Sequence, residues 1–148
     1  MKAQYLGHVV FYVKDLQRAL GFYRDLLGFQ EIGRIFEGKA AGLTSGRTHH
    51  ELLLIEVGDA PKPSAGRRLG LYHIGIKIGD DLDALRAAKA ELEAQGIAIE
   101  GMSDHTVSQS LYLSDPDGNE VELYVDADPK VWKDDPAAVL SPIKPLHL

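Results

Sequence analysis

The segment LGHVVFYVKDLQRALGFYRDLLGFQEIG, from Leu6, has a counterpart in LYHIGIKIGDDLDALRAAKAELEAQGIAIE, from Leu71. Each opens with an apolar strand carrying one His, passes an Asp at the start of a helix, keeps apolar residues at helical spacing, and ends at a Gly before further strands. The helical stripes are Leu16, Leu20, Tyr23 and Leu27 in the first copy and Leu82, Leu85, Ala88 and Leu92 in the second. Strand-like segments follow at 30–37, 39–45 and 49–57, then at 97–101, 108–114 and 119–125. An internal repeat of this kind restricts the chain to two similar β-α-β-β-β modules, an α+β fold.

The modules span 1–57 and 70–125, joined by a Pro- and Gly-containing connector at 58–69. A proline-broken tail at 126–148 follows, and its Trp132 is expected to dock it. The last strand pair is joined by DPDG, with Pro116 suited to the second turn position and Gly118 to the permissive one.

A net charge of −6 without a basic tract gives no footprint for nucleic acid or an anionic membrane. No run approaches the roughly 18 apolar residues of a membrane span, and no signal-peptide core precedes a cleavage site, so a cytoplasmic protein is expected. The absence of cysteine excludes disulfides, thiolate metal sites and a cysteine nucleophile, leaving His, Asp and Glu as metal ligands.

His8 and His73 lie 65 positions apart, and Glu56 and Glu122 lie 66 apart, so the repeat matches a His on each first strand with a Glu on each last one. Strand alternation puts His8 with Val10 and Tyr12, opposite Val9, Phe11 and Val13, and puts His73 opposite Ile74, Ile76 and Ile78. Glu122 lies with Glu120 and Tyr124, opposite Val121, Leu123 and Val125. If the helices cover the apolar faces, His8, His73 and Glu122 share the other side of a curved mixed sheet, in a quasi-symmetric site. A Glu in such a strand would otherwise simply meet water.

These residues resemble the vicinal oxygen chelate superfamily of glyoxalases, extradiol ring-cleaving dioxygenases and antibiotic-resistance proteins, over about 1–125. The resemblance implies paired βαβββ modules curled around a divalent metal with His8, His73 and Glu122 as ligands. Two imidazoles and one carboxylate leave positions open for substrate and O₂, as in non-haem Fe(II) oxygenases. DHTVSQSLYLSDPDGNEVE resembles the extradiol signature, with His105 and Tyr112 in its His and Tyr positions, although Ser103 departs from it. THHELLLIEV resembles the segment holding the extradiol acid/base histidine, which assigns that role to His50 and turns His49 the opposite way.

The resemblance thus implies an Fe(II)-dependent extradiol, catechol 2,3-type dioxygenase of aromatic catabolism, with Mn(II) or another divalent metal as alternatives. Its partners would be a small aromatic diol, O₂ and a second copy in a homodimer. A glyoxalase I-like isomerase or lyase is the rival, in which Glu56 becomes a fourth ligand. A metal-free drug-binding resistance protein is the third reading.

Overall fold

Because side chains alternate along a strand, a sheet with one helix-covered face needs apolar residues at every second position. The two modules meet this need separately. The computed structural model describes residues 2–62, 66, 67 and 69–148, in two units: Met1–Pro63 with Asp115–Gly118, and Ser64–Ser114 with Asn119–Leu148. Of the connector expected at 58–69, positions 63–65 and 68 lie outside the described residues, as does position 1 of the first module.

The first unit contains β1 (Val9–Val13), α1 (Leu16–Leu20) continuing into a π-helical stretch (Gly21–Leu26), β2 (Gln30–Ile35), β3 (Ala40–Thr44) and β4 (Leu52–Glu56). Its sheet runs β1-β4-β3-β2, with β1 and β4 parallel and the other pairs antiparallel. Phe11, Val13, Leu52 and Leu54 are buried with Leu16 and Leu20, while Val10 and Tyr12 are exposed, as the alternation predicts. The Asp15 carboxylate caps α1 by accepting from the Arg18 N–H at 2.8 Å. In the wider π turn Leu27 N–H reaches Phe22 O at 3.0 Å, so adjacent Phe22 and Tyr23 are both buried, and Leu27 is only half-buried.

The DPDG turn belongs to this unit. The Tyr23 hydroxyl donates to the buried Asp115 carboxylate at 2.8 Å, and the Lys14 N–H donates to Asp117 at 2.9 Å. Burial, then the Asp115 charge, holds the Tyr23 phenol well above the ordinary tyrosine range. Gly118, at φ 89°, closes the turn with its N–H on Asp115 O at 3.0 Å.

The second unit contains β5 (His73–Gly79), α2 (Leu82–Ala94), β6 (Gly101–Asp104), β7 (Ser108–Ser114), β8 (Glu120–Asp126), α3 (Pro129–Asp134) and β9 (Lys144–Pro145). Its sheet runs β5-β8-β7-β6-β9, again with the first and last strands of the module parallel. Val121, Leu123 and Val125 are buried with Leu85, Leu92, Leu111 and Leu113. The α+β architecture of two βαβββ modules is as expected, but each module builds its own mixed sheet, of four and five strands, in place of one curved sheet.

Several boundaries differ from expectation. The strand expected at 49–57 begins only at Leu52, because the Glu51 carboxylate turns back to the Ser45 N–H, at 2.8 Å, and the Thr44 hydroxyl, at 3.0 Å. The strand expected at 97–101 starts at Gly101, where pairing with Tyr112 begins. The tail adds β9 to the β6 edge and buries Ala138 and Leu146, while Trp132, expected to dock it, stays half-exposed.

The apolar alternation of β5 fails at its end. A register shift lies between Lys77 and Gly79, so Gly79 rather than Ile78 pairs with Val125. Gly79 then lies beneath the start of α2, where an added Cβ would overlap the Ala84 Cβ. Gly79→Ala is therefore expected to destabilise the protein by about 1–3 kcal/mol. The check is a lowered denaturant midpoint at an unchanged slope.

Candidate active site

Parallel pairing of β5 with β8 sets the site in the second unit: His73 lies opposite Glu120, and Gly75 lies opposite Glu122. A Cβ at residue 75 would stand 3.6 Å from Glu122 Oε2, so the glycine leaves the carboxylate clear of a bulky neighbour. His73 Nε2 is 3.1 Å from Glu122 Oε2, and His73 Nδ1 is 3.2 Å from Glu120 Oε1. The imidazole thus has a carboxylate at each nitrogen.

The other oxygen of Glu122 is engaged. Oε1 accepts from the Ser110 hydroxyl at 2.5 Å and from the Tyr112 hydroxyl at 2.9 Å. His105 Nε2 lies 2.6 Å from the Tyr112 oxygen and 3.8 Å from Glu122 Oε1. A phenol carries a single proton, so when Tyr112 donates to Glu122 the contact with His105 requires an Nε2–H donor on the imidazole. Burial first, then the hydrogen bond and charge of Glu122, hold the Tyr112 phenol above its usual range.

His105 follows β6 in a turn that is under strain. Thr106 has φ 72°, a left-handed conformation that a β-branched residue rarely adopts, and its N–H is held by Asp104 Oδ1 at 2.7 Å. Its Oγ1 is buried without a hydrogen-bond partner. Strain of this kind persists where surrounding structure fixes the backbone, here next to a site histidine.

In the first unit, His8 ends the loop before β1. The His8 and His50 ring centroids are 4.4 Å apart, and those of His49 and His50 are 4.5 Å apart. His49 Nδ1 and His50 Nδ1 approach to 2.5 Å, so one donates to the other. The expectation that His49 points opposite to His50 is corrected: both precede β4, where no strand alternation separates them. Partial burial, then His8 and His49, lowers the His50 pKa below the usual histidine value.

Glu56 also departs from expectation. It pairs with Val13 on the helix-covered face, and its Oε2 accepts from the Leu16 N–H at 2.9 Å, at the start of α1. Its numerical match to Glu122 is not a structural one. Glu122 pairs with the residue two beyond His73, and the residue pairing with Val10, two beyond His8, is Leu53.

Sequence reasoning did not single out Ser110 as a partner of Glu122 or Glu120 as a partner of His73. The alternation already put Glu120 with Glu122, and Ser110 with Tyr112, but only the strand register brings them to these particular partners.

Two ligand atoms held at about 2.1 Å and at right angles around one ion are separated by roughly 3 Å. His73 Nε2 and Glu122 Oε2 have that separation, and their donor set suits a divalent metal. Among the described residues no group of three or more His, Asp or Glu side chains is gathered so as to hold a metal ion. No helix among them is long and apolar enough to cross a membrane.

The chain thus contains two βαβββ modules, with a His–Glu pair across the first and last strands of the second. The model of the Glyoxalase/Bleomycin resistance protein/Dioxygenase superfamily matches residues 5–123, and the chain belongs to that superfamily. It is 37% identical over 131 residues to a catechol-2,3-dioxygenase of Bacillus subtilis (strain 168), a match covering 88% of this chain and 45% of that protein. It is 29% identical to biphenyl-2,3-diol 1,2-dioxygenase 2 of Rhodococcus globerulus, covering 81% of this chain and 62% of the other. The chain thus spans less than two-thirds of the length of these curated relatives. Among solved structures, a lactoylglutathione lyase from Agrobacterium tumefaciens matches with a TM-score of 0.64 and 28% identity, over 89% of this chain and 98% of that one. A glyoxalase/dioxygenase from Nostoc punctiforme shares the fold, with a TM-score of 0.72 at 22% identity, over 84% of this chain and 92% of that one.

Replacing Thr106 with Gly removes the left-handed penalty and the unpartnered hydroxyl together, against the greater chain freedom of glycine when unfolded. Thr106→Gly is expected to raise stability by about 1 kcal/mol. A higher denaturant midpoint checks this.

Proposed function

We propose that this chain carries the ring-cleaving activity of an extradiol dioxygenase acting on a catechol-type aromatic, with His8, His73 and Glu122 as ligands of Fe(II), or of Mn(II) or another divalent ion. The observation that carries this reading is that His73 Nε2 lies 3.1 Å from Glu122 Oε2 in the second unit, whereas the corresponding strand position of the first unit holds Leu53. A glyoxalase I-like set of four ligands needs a further carboxylate. Leucine cannot supply it, and Glu56 is committed to the start of α1. The relatives named catechol and biphenyl-diol dioxygenases support the same choice.

When bound, the ion supplies Lewis acidity toward the two hydroxyl oxygens of the diol and a redox partner for O₂. The residues of the chain manage protons and orientation. His50 Nδ1 is engaged by His49, leaving Nε2 to take a proton from a substrate hydroxyl and return it during ring opening. The Tyr112 hydroxyl, backed by His105, turns from Glu122 to donate to the negative charge that develops on oxygen. The protein acts as a homodimer in the cytoplasm on this reading.

The test is oxygen uptake by Fe(II)-loaded protein on a panel of catechols. His73→Ala and Glu122→Ala are expected to lose bound metal and turnover together. His50→Ala is expected to keep its metal and lose turnover by about 10²–10⁴-fold. A fully metal-loaded protein that consumes no O₂ with any catechol overturns the dioxygenase reading. Metal retained by His73→Ala and Glu122→Ala overturns the site.

A further inference from the structure

Resting on the metal-site reading, we infer that Glu120 is a positioning residue that aims the His73 imidazole at the metal. Its carboxylate sits 3.2 Å from His73 Nδ1, on the side of the ring away from the Nε2 that faces Glu122. An imidazole binds a metal through a nitrogen lone pair, so its other nitrogen must carry the proton, and an acceptor there fixes both the tautomer and the ring orientation. Glu120 occupies that place because it pairs directly with His73 across β5 and β8. Both side chains are about three-quarters buried, with exposures of 28% and 26%, so the contact is partly shielded from competing water.

Beside this contact, the Tyr72 and His73 ring centroids are 4.8 Å apart. The first unit shows that such an arrangement does not follow from the fold alone. There, Glu51 occupies the corresponding place next to β1, with its backbone carbonyl accepting from the Val9 N–H at 2.9 Å. Its carboxylate turns to Ser45, Thr44 and Arg47. One module therefore uses the position to tie down a loop, and the other uses it to brace a histidine.

Zn(II) alone is a suitable probe, because it is diamagnetic and needs neither substrate nor O₂. Competition with a chromophoric chelator gives its affinity for the parent protein, Glu120→Ala, Glu120→Gln and His73→Ala. Glu120→Ala is expected to bind Zn(II) about 10–100-fold more weakly than the parent. Glu120→Gln keeps an oxygen acceptor for Nδ1–H and is expected to stay within a few-fold of it. Proton NMR of the Zn(II)-loaded parent should show a slowly exchanging His73 Nδ1–H, missing from Glu120→Ala.

Absence of a protected Nδ1–H in the Zn(II)-loaded parent overturns the inference without any variant having to fold. Parent-like affinity in Glu120→Ala also overturns it, and if His73→Ala has lost the metal, the site reading survives. Parent-like affinity in His73→Ala removes the site reading and this inference together.

Discussion

The parallel pairing of the first and last strands of each module governs what the rest of the structure can do. It joins segments at opposite ends of a module, and its register decides which side chains stand shoulder to shoulder on the open face. In the second unit that register sets His73 beside Glu120 and places Gly75 opposite Glu122. A slip by one residue would turn the Glu120 and Glu122 carboxylates toward the buried side, where Val121 and Leu123 pack. The covered face opposes such a slip, because burying two carboxylates without partners is far costlier than exposing them. Core packing thereby holds the chemistry in register.

The two modules share this scaffold and use it differently. In the second, open-face positions converge on one carboxylate: Ser110 and Tyr112 meet Glu122 Oε1, and His73 meets Oε2. In the first, the matching position is Leu53, and the carboxylate at the end of β4 serves the start of α1. Duplication thus supplies the strand geometry twice, while the contacts centred on Glu122 belong to the second copy. The superfamily to which the chain belongs takes in glyoxalases and dioxygenases alike, so the fold by itself does not fix the activity.

Much of this was legible in the sequence. The duplication, the alternation in β1 and β8, the DPDG turn and the helical stripes follow from local periodicity and turn chemistry, which act over a few residues. The errors arose where a particular contact overrode the simple strand alternation. Glu51 folding onto Ser45 delayed β4 and removed the alternation that would have separated His49 from His50. The register shift before Gly79 reset the end of β5. The match of Glu56 to Glu122 failed because counting along the chain assumes equal spacing in both modules, whereas pairing compares residues across the sheet.

The sequence by itself determined that there are two βαβββ modules, which face of each strand is apolar, and that His73, His105, Tyr112 and Glu122 belong to polar positions of the second. Those outcomes depend on side-chain pattern along the chain. Only the tertiary structure decided that Glu120 meets one nitrogen of His73 and Glu122 the other, that Ser110 shares Glu122 with Tyr112, and that Glu56 serves the start of α1. The physical reason is that a hydrogen bond acts over about 3 Å. Which atoms come within that distance is fixed by strand register and helix placement, and those are set by the packing of the whole core.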